Sequence, residues 1–155
     1  MAGSTARITR MAPLRQMDRI TAALWGGCLL WAASVWFLSS LSPSDFSFRG
    51  PSLPGLDKVV HWGIFFGGAL FFTAALRRTV VYSWRSVILV SIGALALFGV
   101  VDEVHQLYTP GRTGADPYDW IADCLGAMTG AVTVFLVSKW KSRVIRSPFQ
   151  PQPRL

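Results

Sequence analysis

Charged residues are scarce in this chain of 155 residues. Asp, Glu, Lys and Arg together make up only 15% of it, whereas they form about a quarter of an ordinary soluble domain. Apolar residues make up 52%, and the mean hydropathy is +0.40. This balance argues against a soluble domain and is typical of a chain covered largely by lipid. The length leaves room for a single domain.

Cysteine is also rare, and the two cysteines do not have the CxxC spacing of a metal or redox motif. Cys28 and Cys124 both lie in apolar segments, far apart in the chain. We therefore expect two small buried side chains and no disulfide.

Acidic residues are outnumbered by basic ones, eight to fifteen, which gives a net charge of +7. The basic residues occur in short clusters beside apolar runs, and they do not form a stripe interleaved with exposed aromatic residues. This distribution indicates membrane lipids as partners, and nucleic acid is not expected to bind.

Four long apolar stretches predict an all-α fold, a four-helix transmembrane bundle with helices over about 20–41, 57–76, 84–103 and 118–138. A helix needs about 20 residues to cross the hydrocarbon core of a bilayer. The first stretch reaches that length alone, and the third is the shortest. Because the first stretch is too long for the core of a signal peptide and no A-x-A site follows it, we expect it to be retained.

The bundle divides the chain into three parts. A basic tail over 1–19 precedes the membrane domain over 20–138, and a second basic tail follows over 139–155. The last nine residues include three prolines, so we expect this second tail to be disordered.

Most of the basic residues fall on one side of the predicted bundle. The positive-inside rule therefore places both termini in the cytoplasm. The twelve basic residues on this side are Arg7, Arg10, Arg15, Arg19, Arg77, Arg78, Arg85, Lys139, Lys141, Arg143, Arg146 and Arg154.

Acidic residues are grouped at the opposite, outer face, and only Asp18 falls on the cytoplasmic side. Because acidic residues have little influence on topology, their grouping indicates a function. The seven outer residues are Asp45, Asp57, Asp102, Glu103, Asp116, Asp119 and Asp123.

The second predicted helix begins with polar side chains. Asp57 and His61 are four residues apart and share a helical face, with Lys58 beside them. In purely structural roles, Asp57 would cap the helix and a neutral His61 would hydrogen-bond to a neighbouring helix. An ionisable pair inside a membrane span nevertheless favours a functional site.

A second polar group lies at the end of the third helix. Asp102, Glu103 and Gln106 share one face if this helix continues past Val101. Arg112 is the only cation in the loop that follows, so we expect it to bind a carboxylate or a phosphate.

The fourth helix carries a stripe of acidic and small residues. Asp119, Asp123, Gly126 and Gly130 fall on one face, and small residues mark helix–helix interfaces in membranes. We therefore expect the stripe to face the interior of the bundle. Asp116 is expected to cap the start of this helix.

Together these helix ends predict one outward-facing pocket that binds a ligand. The sequence contains no nucleophile motif and no HExxH-type metal spacing, so no catalytic residue, metal or cofactor is assigned. The predicted pocket residues are Asp57, Lys58, His61, Asp102, Glu103, Gln106, Arg112, Asp119 and Asp123.

In these motifs the chain resembles the VanZ-like family of small membrane proteins, over roughly 56–137. The resemblance implies a bacterial cytoplasmic membrane protein. The family commonly has Asn at the position of Asp123, and an ionised carboxylate can only accept hydrogen bonds. This side chain is therefore expected to be protonated or paired with His61, Lys58 or Arg112. The matching elements are Asp57-Lys58-x-x-His61, Asp102-Glu103-x-x-Gln106, Pro110-Gly111-Arg112, and Asp119 followed by Gly126 and Gly130.

Three functions are compatible with this pattern. In the first, the pocket would recognise or protect a lipid-linked or peptidoglycan-precursor ligand of the cell envelope. The family takes its name from a protein associated with resistance to the glycopeptide teicoplanin, so the resemblance implies a possible link with that resistance. Alternatively, the chain would be an enzyme acting on a lipid headgroup, with His61 as base and a metal ion assisting. In the third case it would be a structural subunit of a membrane assembly. Four short helices leave little room for a transporter unless the protein oligomerises, which the sequence leaves open. The oxygen ligands suited to Mg²⁺ or Mn²⁺ in the enzyme hypothesis are Asp102, Glu103, Asp119 and Asp123.

Overall fold

The computed structural model describes residues 17–42, 44, 54–112 and 114–146. These ranges contain no strand, and each of their four helices is long and apolar enough to cross a membrane. The predicted all-α bundle of four transmembrane helices is thereby confirmed. The basic tail over 1–16, most of the loop between the first two helices with Asp45, and the tail over 147–155 lie outside the described residues. The helices are α1 Arg19–Ser39, α2 Leu56–Thr79, α3 Trp84–Gln106 and α4 Pro117–Arg146.

The third helix, expected to be the shortest, is 23 residues long and the most apolar of the four. It continues past Val101 to Gln106 because nothing breaks the helix before the turn at Pro110. Its last turn therefore carries Asp102 and Glu103.

The fourth helix is longer than predicted and ends at Arg146. The expectation of a disordered tail over 139–155 is therefore wrong for residues 139–146, which form the last two turns of α4. These residues include no Pro or Gly, and cations such as Lys139 and Lys141 are favourable near the negative end of the helix dipole.

The helices alternate in direction, so the bundle has two chemically different ends. We use the name 'polar end' for the end of the bundle at which α1 and α3 finish and α2 and α4 begin. The opposite end is the basic end, where Arg78 of α2 donates to Asp18, the residue that caps α1. Hydrogen bonds from Thr21 and Arg78 lower the pKa of Asp18 from 3.8 to about 2, so this carboxylate stays charged.

The two parallel helices α2 and α4 make the closest backbone contact. A Cβ placed on Gly126 would lie 2.9 Å from the Phe66 nitrogen and also against the Trp62 carbonyl oxygen. A Cβ on Gly130 would lie 2.6 Å from the Phe66 carbonyl oxygen. Such contacts between small residues and a neighbouring backbone are a main source of helix association in membranes, where lipid is as apolar as the helices.

Aromatic and small side chains form the centre of the bundle. Phe65, Ala69, Leu95 and Ala127 are buried there, and Trp31 of α1 packs against them. The Trp31 indole N–H donates to the Ile64 carbonyl at 2.9 Å, and large apolar side chains cover the outer surface. The core is therefore close-packed at its centre while the outside is suited to lipid. Both cysteines are free.

Replacing Gly126 with alanine is expected to lower the free energy of unfolding by about 1–3 kcal/mol, because the new methyl group collides with the α2 backbone. Gly67→Ala is the matched control, since a Cβ on this α2 glycine meets no atom within 4 Å. Its effect should stay within about 0.5 kcal/mol. Thermal unfolding in one detergent compares the two variants, and equal melting temperatures would contradict the α2–α4 contact.

Candidate functional site

Lys58 is the centre of the charged network at the polar end. Its ammonium donates to Asp57 at 2.9 Å and to Asp116 and Asp119 at 2.7 Å each. An ammonium has three N–H groups, and these three carboxylates use all of them. Lys58 therefore ties the start of α2 to the start of α4, and it could bind a phosphate only by giving up one of these ion pairs.

Asp116 has two roles, of which the sequence predicts one. Its side chain accepts a hydrogen bond from the Tyr118 backbone at 2.8 Å, which confirms the predicted cap of α4. Its other carboxylate oxygen binds Lys58, which together with the Tyr118 bond lowers the pKa of Asp116. This ion pair adds stability above the ordinary carboxyl pKa, and the stability is lost as the pH falls through the lowered pKa.

His61 lies between the two carboxylates of the α4 stripe. Its Nδ1 is 3.0 Å from Asp123 Oδ1, and its Nε2 is 3.9 Å from Asp119 Oδ2. Asp123 is fully buried, so its stripe faces the interior of the bundle. Of the partners expected for Asp123, the structure selects His61.

Glu103 of α3 completes this group from the opposite side. Its Oε2 accepts a hydrogen bond from the Asp116 backbone at 2.9 Å. Its Oε1 and the Oδ2 of Asp123 are both buried, and neither has a hydrogen-bond partner among the described residues. Each of three residues, His61, Glu103 and Asp123, has one atom that could bind a metal, and these three atoms lie within 4.8 Å of one another. The three residues could therefore hold a metal ion.

Asp102 forms a separate cluster that joins α3 to α1. It accepts hydrogen bonds from the Ser39 hydroxyl at 2.5 Å and from the Gln106 amide at 2.9 Å. Asp102 is 2% exposed, so these two bonds satisfy a carboxylate that water hardly reaches. The sequence gives no distinctive signal for Ser39, which is one of two adjacent serines at the end of an apolar run.

Arg112 donates to two backbone carbonyls and forms no ion pair with a carboxylate of the described residues. Its Nε donates to Leu41 at 3.0 Å and its Nη2 to Leu38 at 2.7 Å. Leu38 lies in the last turn of α1 and Leu41 directly follows its C-cap, Ser40, so the guanidinium lies at the negative end of the helix dipole. Arg112 thus attaches the α3–α4 connection to the end of α1.

A cavity of about 220 Å³ lies between α1, α2 and α3 at the polar end, and we call it the α1–α3 cavity. One part of its wall is polar and the other is apolar. The polar part consists of Ser39, His61, Asp102, Gln106 and Arg112, and the apolar part of Val35, Leu38, Val60, Ile64 and Phe65.

The nine predicted pocket residues therefore form two neighbouring clusters at one end of the bundle. His61 belongs to the charged network and also lines the α1–α3 cavity, so it connects the two. Asp57 lies at the rim with an exposed side chain. The charged network contains Asp57, Lys58, His61, Glu103, Asp119 and Asp123, and the second cluster contains Asp102, Gln106 and Arg112.

Lys58→Met is expected to lower the free energy of unfolding by about 1–3 kcal/mol at pH 7, because three carboxylates lose their shared donor. The difference from wild type should shrink at low pH, where protonated carboxyl groups no longer repel one another. Lys141→Met removes an exposed cation at the basic end and serves as the control. Equal stability of both variants at pH 7 would mean that water satisfies the three carboxylates.

Comparison with known proteins gives one finding. No curated protein and no solved structure matches the chain. The family model described as VanZ/LLP1 matches residues 14–138, a range that includes α1, α2, α3 and most of α4 with every residue of the two polar clusters. The chain therefore belongs to the VanZ/LLP1 family and is a multi-pass membrane protein.

Proposed function

We propose that this VanZ-family protein binds the headgroup of a lipid-linked ligand of the cell envelope in the α1–α3 cavity. The observation that carries the proposal is the divided wall of this cavity, which has Asp102, Gln106 and Arg112 on one part and aliphatic side chains on the other. An amphiphile presents the same division, with a polar head joined to a hydrocarbon chain. Sites that bind such molecules combine apolar walls with a few placed polar groups.

The polar groups of the cavity favour a headgroup rich in hydroxyl and amide groups. The carboxylate of Asp102 has about four acceptor positions, of which Ser39 and Gln106 use two. Arg112 uses two of its nitrogens for α1 and keeps its charge for a phosphate, a role that Lys58 cannot fill while bound to three carboxylates. A lipid-linked peptidoglycan precursor carries sugar hydroxyls, peptide amides and phosphate, and so matches this set.

The protein lies in the inner membrane in this proposal, and the distribution of basic residues supports an orientation with the polar end facing outward. Within the described ranges, Arg112 and Lys58 lie at the polar end, while eight basic residues lie at or near the basic end: Arg19, Arg77, Arg78, Arg85, Lys139, Lys141, Arg143 and Arg146. The positive-inside rule therefore supports cytoplasmic termini and an extracytoplasmic cavity. A peptidoglycan precursor bound there would be shielded from glycopeptides, which would link the protein to teicoplanin resistance.

Cysteine labelling in intact cells tests this orientation. Tyr108 lies exposed in the α3–α4 connection at the polar end, and Tyr82 lies exposed in the α2–α3 connection at the basic end. A membrane-impermeant maleimide should label Tyr108→Cys in intact cells and Tyr82→Cys only after lysis. The unaltered chain, with Cys28 and Cys124, gives the background. The reverse labelling pattern would place the cavity in the cytoplasm.

Filling the α1–α3 cavity tests ligand binding. Both valines are exposed, but Val60 lines the cavity and the neighbouring Val59 does not. Val60→Trp should weaken binding of a lipid-linked peptidoglycan precursor at least about tenfold, a loss of about 1.4 kcal/mol, while Val59→Trp leaves it unchanged. Native mass spectrometry of the purified proteins measures the bound precursor.

Two results would reject this proposal. Equal binding by both tryptophan variants would place the ligand outside the cavity, and absence of binding by the unaltered protein would exclude this ligand class. The same samples also test the alternative of a headgroup enzyme, which is favoured by the hydrogen bond between cavity-lining His61 and buried Asp123. Catalysis would appear as a precursor of changed mass.

A further inference from the structure

The geometry points to a second site beside the α1–α3 cavity, in which His61, Glu103 and Asp123 bind a divalent transition-metal ion such as Mn²⁺ or Zn²⁺. One imidazole nitrogen and two carboxylate oxygens form the ligand set. Imidazole is a ligand of choice for zinc, and carboxylates suit manganese. Metal binding is a property of the protein alone and does not require the lipid-linked ligand.

The spacing of the three side chains fits a common ion. Metal–ligand bonds are about 2.0–2.4 Å long. Two ligand atoms on opposite sides of one ion are therefore about 4–4.8 Å from each other. The three potential ligand atoms, one each from His61, Glu103 and Asp123, lie within 4.8 Å of one another. The three residues belong to three different helices. An ion at their centre could therefore contact all three with small side-chain movements.

Two unpartnered oxygens are the independent observation that points to a ligand. Glu103 Oε1 and Asp123 Oδ2 are buried and have no hydrogen-bond partner within the described ranges. Asp123 is 0% exposed and Glu103 is 5% exposed, so water does not readily satisfy these atoms. A buried carboxylate oxygen without a donor is costly, and a bound cation would remove that cost for both residues at once.

The charges around the site also favour a cation. Lys58 is already shared by three other carboxylates, and Arg112 is bonded to the end of α1. Glu103 and Asp123 share His61, which has a ring nitrogen within 4.8 Å of an oxygen of each. A divalent ion would neutralise the two carboxylates without requiring His61 to be protonated.

Two of the three proposed ligands each line a cavity. Gly99 faces Asp123, since a Cβ there would lie 3.0 Å from Oδ2. Glu103 lines a separate cavity of about 200 Å³ between α3 and α4, while His61 lines the α1–α3 cavity. Water ligands could therefore complete the coordination, and the carboxylate of Asp119, 3.9 Å from the imidazole Nε2, adds negative charge beside the site.

Direct metal binding tests the site. The purified full-length chain, stripped with a chelator, is titrated with Mn²⁺ while the electron paramagnetic resonance signal reports free ion, and Zn²⁺ and Mg²⁺ are added as competitors. We expect one Mn²⁺ per chain, displaced by Zn²⁺. Asp123→Asn and Glu103→Gln should each weaken binding at least about tenfold, since even loss of a residue that only supports a ligand costs 10–100-fold.

Asp18→Asn is the matched control, because it removes one carboxylate at the basic end, outside both polar clusters, and Asn can still cap α1. Its affinity for Mn²⁺ should match that of the unaltered chain. Asp123→Asn keeps the size of the side chain, and size-exclusion chromatography with circular dichroism establishes that each variant is folded.

Three outcomes would overturn the site. They are the absence of saturable Mn²⁺ or Zn²⁺ binding by the folded unaltered chain, equal binding by Asp123→Asn, and an equal loss in Asp18→Asn, which would indicate an effect of net charge and not a defined site. Each can occur whether or not the lipid-linked precursor binds, so the two proposals fail separately.

Discussion

The close parallel contact between α2 and α4 determines the geometry of the polar end. Because Gly126 has no side chain, α4 approaches the α2 backbone at Trp62 and Phe66. One turn nearer the polar end, the same contact sets His61 against Asp123, and a further turn sets Lys58 against Asp119. The charged pairs therefore follow from the register of two packed helices, and the van der Waals contact that holds this register lies below them in the apolar part of the bundle.

The other two helices are joined to this pair by polar groups as well as by the apolar core. Asp102 and Ser39 connect α3 with α1, and Arg112 binds the last carbonyls of α1. Glu103 reaches the backbone of Asp116 at the start of α4. All four helices are thus cross-linked at the polar end, where a rigid frame can hold side chains at fixed distances around a ligand.

The sequence predicts the parts of this arrangement that depend on periodicity. The length of the apolar stretches predicts the four helices. The helical spacing of two acidic and two small residues predicts which face of α4 is buried, and these residues are Asp119, Asp123, Gly126 and Gly130. Helical spacing also predicts that Asp102 and Gln106 meet, and the structure places their side chains 2.9 Å apart. These features are properties of a single helix and need no knowledge of its neighbours.

The remaining features depend on which helices are neighbours, and a single sequence contains no signal for that. Both α2 and α4 carry a GxxxG pattern, yet Gly126 contacts a backbone and Gly63 meets nothing within 4 Å. The hydrogen bonds from Arg112 to two backbone carbonyls of another segment are also not predicted, because every residue has a carbonyl and no residue type marks these two. The second role of Asp116 likewise appears only once Lys58 of another helix lies beside it.

The length of α4 has a consequence for how deeply the bundle sits in the bilayer. Its 30 residues extend about 45 Å, which exceeds the hydrocarbon thickness of about 30 Å. The surplus at the basic end carries Lys139, Lys141 and the exposed ring of Trp140, side chains that favour the headgroup layer. Anchored at that interface, the helix would resist displacement along the membrane normal. The buried carboxylates at the polar end would then stay at a constant depth below the other surface of the bilayer.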